Sequence, residues 1–126
     1  MWFLRLFTAS MLFSPGIPCL AAPVVVDEAQ LLADDSVQNA LFGASAAVDR
    51  ETLILGAPGA NAAYSFVRKG TLWEQQQKLK PNGGPGSVGF SVSIHADTAV
   101  LGAPNETVNG LLSAGAAYVF FRIGTA

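Results

Sequence analysis

The 126-residue chain is poor in the side chains that do most protein chemistry. It has one cysteine, one histidine and only 13% charged residues. With a single histidine and a single cysteine there is no set of imidazoles and thiolates to cage a transition metal. No serine lies in a Gly-x-Ser-x-Gly elbow, and no glycine-rich stretch ends in Gly-Lys-Ser/Thr before a helix. Seven basic residues against nine acidic ones give a net charge of −2. Nucleic acid and anionic membrane surfaces both require clustered Lys and Arg, so this balance argues against either as a partner.

The lone cysteine, Cys19, falls in a segment with the order of an export signal. Arg5 supplies the positive charge, Leu6 to Phe13 the apolar run, and Cys19-Leu20-Ala21-Ala22 the small residues for cleavage near Ala21 or Ala22. Pro15, Gly16 and Pro18 break the run well short of a membrane span. Residues 1–21 therefore read as a signal peptide and 22–126 as the mature chain, secreted or extracytoplasmic, with no membrane insertion after cleavage. Losing Cys19 leaves no disulfide, so sheet packing alone must hold the fold.

What the chain does have is a repeat. Gly43-x-Ser45, Gly56-Ala57-Pro58 and Ala63-Tyr64-x-Phe66 return as Gly89-x-Ser91, Gly102-Ala103-Pro104 and Ala117-Tyr118-x-Phe120. The offset is 46 residues from Gly43 to Pro58 and 54 from Ala62 onward, which confines eight extra residues to the stretch 105–115. Gln30-Leu31-Leu32 also matches Gln77-Lys78-Leu79, a third, partial copy. A repeat of this length signals stacked supersecondary units. Units span 42–79 and 88–125, the second lacking its last strand, and a lone strand is expected over 24–32.

Each unit reads as four short strands. The first two are joined by three-residue polar turns, Asp49-Arg50-Glu51 and His95-Ala96-Asp97. Gly56 and Gly102 are expected to end the second strand, because Pro58 and Pro104 cannot donate to a ladder. The second and third strands are almost wholly apolar, as in strands covered on both faces. The fourth, Leu72 to Leu79, is rich in Gln, Glu and Lys, a composition that blunts a sheet edge. The expected fold is all-β, with antiparallel four-stranded blades of a β-propeller type, about two of them.

Phe42-Gly43 and Gly56-Ala57-Pro58, the paired Gly-x-Ser and Ala-Tyr-x-Phe segments, and Trp73 followed by Gln-Gln-x-Lys-Leu79 resemble the FG-GAP repeat. This is the repeat of the integrin α-subunit propeller and of many secreted bacterial proteins. In the second copy Val88-Gly89 stands for Phe42-Gly43, with Phe90 one place late. The resemblance covers about residues 28 to 125 and implies a non-enzymatic module for extracellular recognition, adhesion or structure. It also implies a ring of about seven blades, against two here, so the missing blades belong to a longer chain or to a homo-oligomer. Family members often carry a calcium loop, Asp-x-Asp-x-Asp-Gly, before Gly-Ala-Pro. The corresponding turns here are too short and too poor in carboxylates to wrap calcium, so no cofactor is expected.

The candidate sites each have an ordinary structural reading. His95 and Asp97 share a hairpin turn, and Ser45 and Ser91 recur as structural positions do. Asn82 to Gly86 reads as a flexible connection, Asp34-Asp35 as a solvated turn, and Asn105-Glu106-Thr107 as a short glycosylation pattern that also arises by chance. Repetition of Tyr64, Phe66, Tyr118 and Phe120 inside apolar strands indicates core packing. Trp73 is the candidate for a repeated sugar platform, and a protein or glycan ligand is expected. The one non-repeated element is the loop 105–115. Its Asn105, Glu106, Leu111 and Leu112 are the expected partner contact.

Overall fold

Short alternating strands joined by tight turns build two antiparallel sheets in the computed structural model, which describes residues 28–124. Sheet 1 runs β1 (Ser45–Asp49), β2 (Thr52–Ala57), β3 (Ala62–Lys69), β4 (Leu72–Leu79) in spatial order. Sheet 2 runs β5 (Ser91–His95), β6 (Thr98–Ala103), β7 (Ala116–Phe121). The two share one register: Ser45 faces Gly56 and Ala57 faces Ala62, just as Ser91 faces Gly102 and Ala103 faces Ala116.

Backbone detail repeats as well. Gly43 N–H donates to Gly56 O at 2.9 Å and Gly89 N–H to Gly102 O at 3.1 Å. Arg68 N–H reaches Glu51 O, and Arg122 N–H reaches Asp97 O, both at 2.8 Å. The guanidinium of each arginine then pairs with the carboxylate of the same turn residue, Glu51 or Asp97. One hydrogen-bonding recipe thus closes the same corner twice.

Several expectations change in detail. Asp49 and His95 belong to the strands, so the turns are two-residue loops, Arg50-Glu51 and Ala96-Asp97, with Arg50 at φ 55° and Ala96 at φ 52°. Residues with positive φ suit the twist of short hairpin loops. The second strands continue one residue past Gly56 and Gly102. A three-residue 3₁₀ turn at Pro58–Ala60 then carries the chain to β3. Residues 28–32 form no strand; Leu31 and Ala33 pack on the face of sheet 1 turned away from sheet 2. The expected strand over 24–32 is therefore absent from its described part, and Val24 to Asp27 and the signal segment lie outside the described residues.

Two clusters hold the molecule. Ile54 and Ala63 from sheet 1 meet Val88, Ala99, Leu101 and Ala103 between the sheets, flanked by Leu79, Ile94 and Phe120. On the other face of sheet 1, Tyr64 and Phe66 pack with Phe42, Leu55 and Trp73. Phe42 stands edge-on to both rings, at 5.4 Å from Tyr64 and 6.1 Å from Phe66, the arrangement aromatic quadrupoles favour. The sheets approach mainly through β1, β2 and β5.

Candidate functional site

Antiparallel order sends the β2–β3, β4–β5 and β6–β7 connections to one end of the sheets and the tight hairpins to the other. The first end carries the non-repeated loop. Asn61, held left-handed at φ 57°, staples it together. Its Oδ1 accepts from Gly86 N–H at 3.1 Å and Val88 N–H at 2.9 Å, while Nδ2 donates to Gly84 O at 3.3 Å. The Asn82–Gly86 connection is accordingly pinned to sheet 1 rather than loosely tethered. Sequence reading passed over Asn61; its place just after Gly-Ala-Pro-Gly-Ala, where a left-handed residue closes the turn, was the available signal.

The loop 105–115 is a built element. Asn105 N–H donates to Gly86 O, and Glu106 folds inward instead of outward. Both Glu106 carboxylate oxygens lie within hydrogen-bond reach of the Tyr118 hydroxyl, at 2.5 and 2.6 Å. That bond raises the Tyr118 pKa above its ordinary 10.0. Glu106 is therefore the anchor of the loop, not part of its contact surface. Asn105, whose side chain bonds Ser87 Oγ at 3.0 Å, is exposed beside it.

Beyond the anchor the loop turns tightly. Val108 and Leu111 exchange backbone hydrogen bonds at 3.1 and 2.9 Å around Asn109 at φ 52° and Gly110 at φ 80°. Two left-handed residues in an Asn-Gly pair make the mirror-image turn preferred by two-residue hairpins. The turn lifts Leu111 and Leu112 into solvent, 65% and 84% exposed.

The remaining candidates are structural. Ser45 Oγ donates to Gly89 O at 2.7 Å, tying the two sheets. Asp49 Oδ2 accepts from Ala96 N–H at 2.6 Å. His95 ends β5 in solvent, while Asp97 is taken by Arg122 at 2.7 Å, so no histidine–carboxylate pair forms. Asp35 is no solvated turn residue: it accepts from the Tyr64 hydroxyl at 2.8 Å and from Lys78 Nζ at 2.6 Å. The Lys78 bond, ahead of the Tyr64 bond, holds its carboxyl below the ordinary 3.8. Phe90 is exposed, because Val88, fully buried, takes the position that the half-buried Phe42 holds in the first unit. Trp73 is half-buried against the Tyr64 cluster.

A cleft of about 690 Å³ opens between the outer parts of the sheets. Ile54, Ala99 and Phe120 line it with Gln76, Lys80 and Arg122. Arg122 Nη1 crosses from sheet 2 to donate to Thr52 Oγ1 at 3.1 Å and Gln76 Oε1 at 3.4 Å. Among the described residues, no group of three or more His, Cys, Asp or Glu side chains converges as a metal site. No helix of the described residues is long and apolar enough to cross a membrane.

A comparison with curated proteins found no match. Residues 25–70 and 73–120 each match the FG-GAP repeat. With the same hairpin register, the same corner ion pair and the same Gly-Ala-Pro bend built twice, the chain belongs to the FG-GAP repeat family, and its two sheets are propeller-type blades.

Proposed function

We propose that this chain is an exported, non-catalytic recognition module that contacts a protein or glycan partner through the loop 105–115. The observation that carries the reading is the loop itself. It is the element in which the two units differ most, its base is held by Glu106 and Tyr118, and its tip presents two adjacent leucines to water. Rigidly held loops on a repeat scaffold are where such proteins place specificity, and solvent-exposed apolar pairs favour a protein contact. Export is supported by the order of charge, apolar run and small residues in 1–21. A non-catalytic role is supported by the family, by the engagement of Asp49 and Asp97 in structural bonds, and by the exposure of His95 apart from either carboxylate's partner.

Two measurements test this. Expressed with its own N-terminus in a secreting host, the chain is expected outside the cytoplasm, shortened near Ala21 or Ala22 by intact mass. Retention at full mass would sink the export reading. The purified chain is then screened on arrays of glycans and extracellular proteins beside a Leu111→Asp/Leu112→Asp variant. Binding that falls at least about tenfold in the variant, the scale of roughly 1.4 kcal/mol, supports the loop; equal binding moves the contact elsewhere. A silent array overturns recognition of those ligand classes.

A further inference from the structure

The second sheet repeats a surface that the first sheet keeps buried. Ile54 of β2 is 2% exposed between the sheets; its counterpart in β6, Val100, is 36% exposed. Ala63 is fully buried and its counterpart Ala117 is exposed. Ser65 is 6% exposed, whereas its counterpart Val119 is 54% exposed. Phe121 takes the place of Val67 on the same face. This face is thus more apolar than the one that sheet 2 covers, yet it meets solvent among the described residues. Exposed apolar area of this kind marks an association surface.

The opposite end of the molecule offers the matching half. Sheet 2 presents Ile94, Ala99, Leu101 and Phe120 to sheet 1. At the same four positions, sheet 1 carries Val48, Leu53, Leu55 and Phe66 on its far face. Val48 is exposed there, although its counterpart Ile94 is packed. Leu32, counterpart of the packed Leu79 in the partial copy, is exposed as well. Polar groups repeat too. Thr52 Oγ1 accepts from Arg122, and the equivalent pair in a neighbouring copy is Thr98 with Arg68. Ser45 Oγ donates to Gly89 O, and the equivalent pair is Ser91 with Gly43.

We infer that a second copy of this chain stacks head to tail, its first sheet seated on the second sheet as the second is seated on the first. The contact is heterologous, and such contacts continue until they close a ring or run on as a filament. Among the described residues, the outer edge of β7 has no strand neighbour. The second family match begins within β4, and Leu32 is the counterpart of Leu79 in β4, so residues 28–32 of the partner stand in the family unit where the end of β4 stands. It is the segment this edge would take. The inference uses a different surface from the loop 105–115 and stands without the recognition reading.

Complementation of two surface variants tests it. Val119→Lys spoils the sheet 2 face and Val48→Lys spoils the sheet 1 face; both side chains are exposed, so the fold is expected to persist by circular dichroism. By light scattering, the unaltered chain is expected as a discrete oligomer or polymer, and each variant alone as a monomer. Mixed in equal amounts, the variants keep one intact half-interface each and are expected to form dimers and nothing larger. A monomeric unaltered chain would overturn the inference and leave the face to further blades or another partner. It is equally overturned if either variant still associates or the mixture stays monomeric.

Discussion

Gly56 gives the family signature a steric reason. A methyl group there would overlap both the Gly89 carbonyl oxygen and Ser45 Oγ, at the point where the two sheets are tied. Its counterpart Gly102 would meet mainly the Ser91 hydroxyl, which can rotate away. Gly56→Ala is therefore expected to cost about 1–3 kcal/mol, the range for overpacking a dense interior. Gly102→Ala is expected to cost less than about 1 kcal/mol, because reduced freedom of the unfolded chain offsets part of the clash. Urea unfolding of the two variants decides the matter, and equal losses would refute the asymmetry. Asp35 supplies a second case at this scale. Its carboxyl is lowered first by the Lys78 bond and then by the Tyr64 bond. A lowered folded value means stability that is present above the ordinary 3.8 and is lost as pH falls through the folded pKa. The melting temperature should drop on acidification below about pH 4, and Asp35→Asn should shrink that drop. Identical acid slopes in the two proteins would remove Asp35 from the account.

At the scale of the element, the loop 105–115 depends on one neutral hydroxyl. Tyr118 is raised above 10.0 by its bond to Glu106, so its contribution is complete below the ordinary value and is lost as pH rises through the folded one. Glu106→Gln should bring phenolate formation, followed by near-ultraviolet absorbance, to lower pH. It should also speed amide exchange across Thr107–Ser113. An unchanged titration would mean that Glu106 does not control the hydroxyl. This anchor could not be read from the sequence, since a glutamate in the middle of a glycosylation pattern looks like a solvated loop residue. Only the fold brings it under β7. The hairpins were legible because Ser45–Gly56 and Ser91–Gly102 recur at one offset, and recurrence reports register directly. Asn109-Gly110 was equally legible as a turn, but lay inside an insertion with no second copy for comparison. Asp35 and Asn61 were missed for one reason: their partners, Lys78 and Tyr64 for the first and Gly86 and Val88 for the second, are distant in sequence. The strand expected over 24–32 is absent from its described part, 28–32, on the same ground, because a strand requires a neighbour that no local pattern reveals.

For the whole molecule, the decisive fact is that a translational repeat has two unlike ends. A sheet stacked on a sheet buries one face of each, and an array of two leaves one face of each for something else. Loop residues 31–42 cover part of the sheet 1 face with Leu31, Ala33 and Phe42; the described residues place no comparable cover over Val100, Val119 and Phe121. If that face is filled by another copy, folding and assembly are linked, because only a folded chain presents both halves. A partner at a hundred times its dissociation constant stabilises the folded state by about 2.7 kcal/mol. For a domain near one hundred residues this corresponds to a shift on the order of ten degrees. The melting temperature of the unaltered chain should therefore climb with protein concentration over such a range. Val119→Lys should give a flat line over the same range, at the value the unaltered chain approaches on dilution. A melting temperature independent of concentration in both proteins would mean that the sheet 2 face adds nothing by self-stacking, and that the two sheets are stable with that face in water.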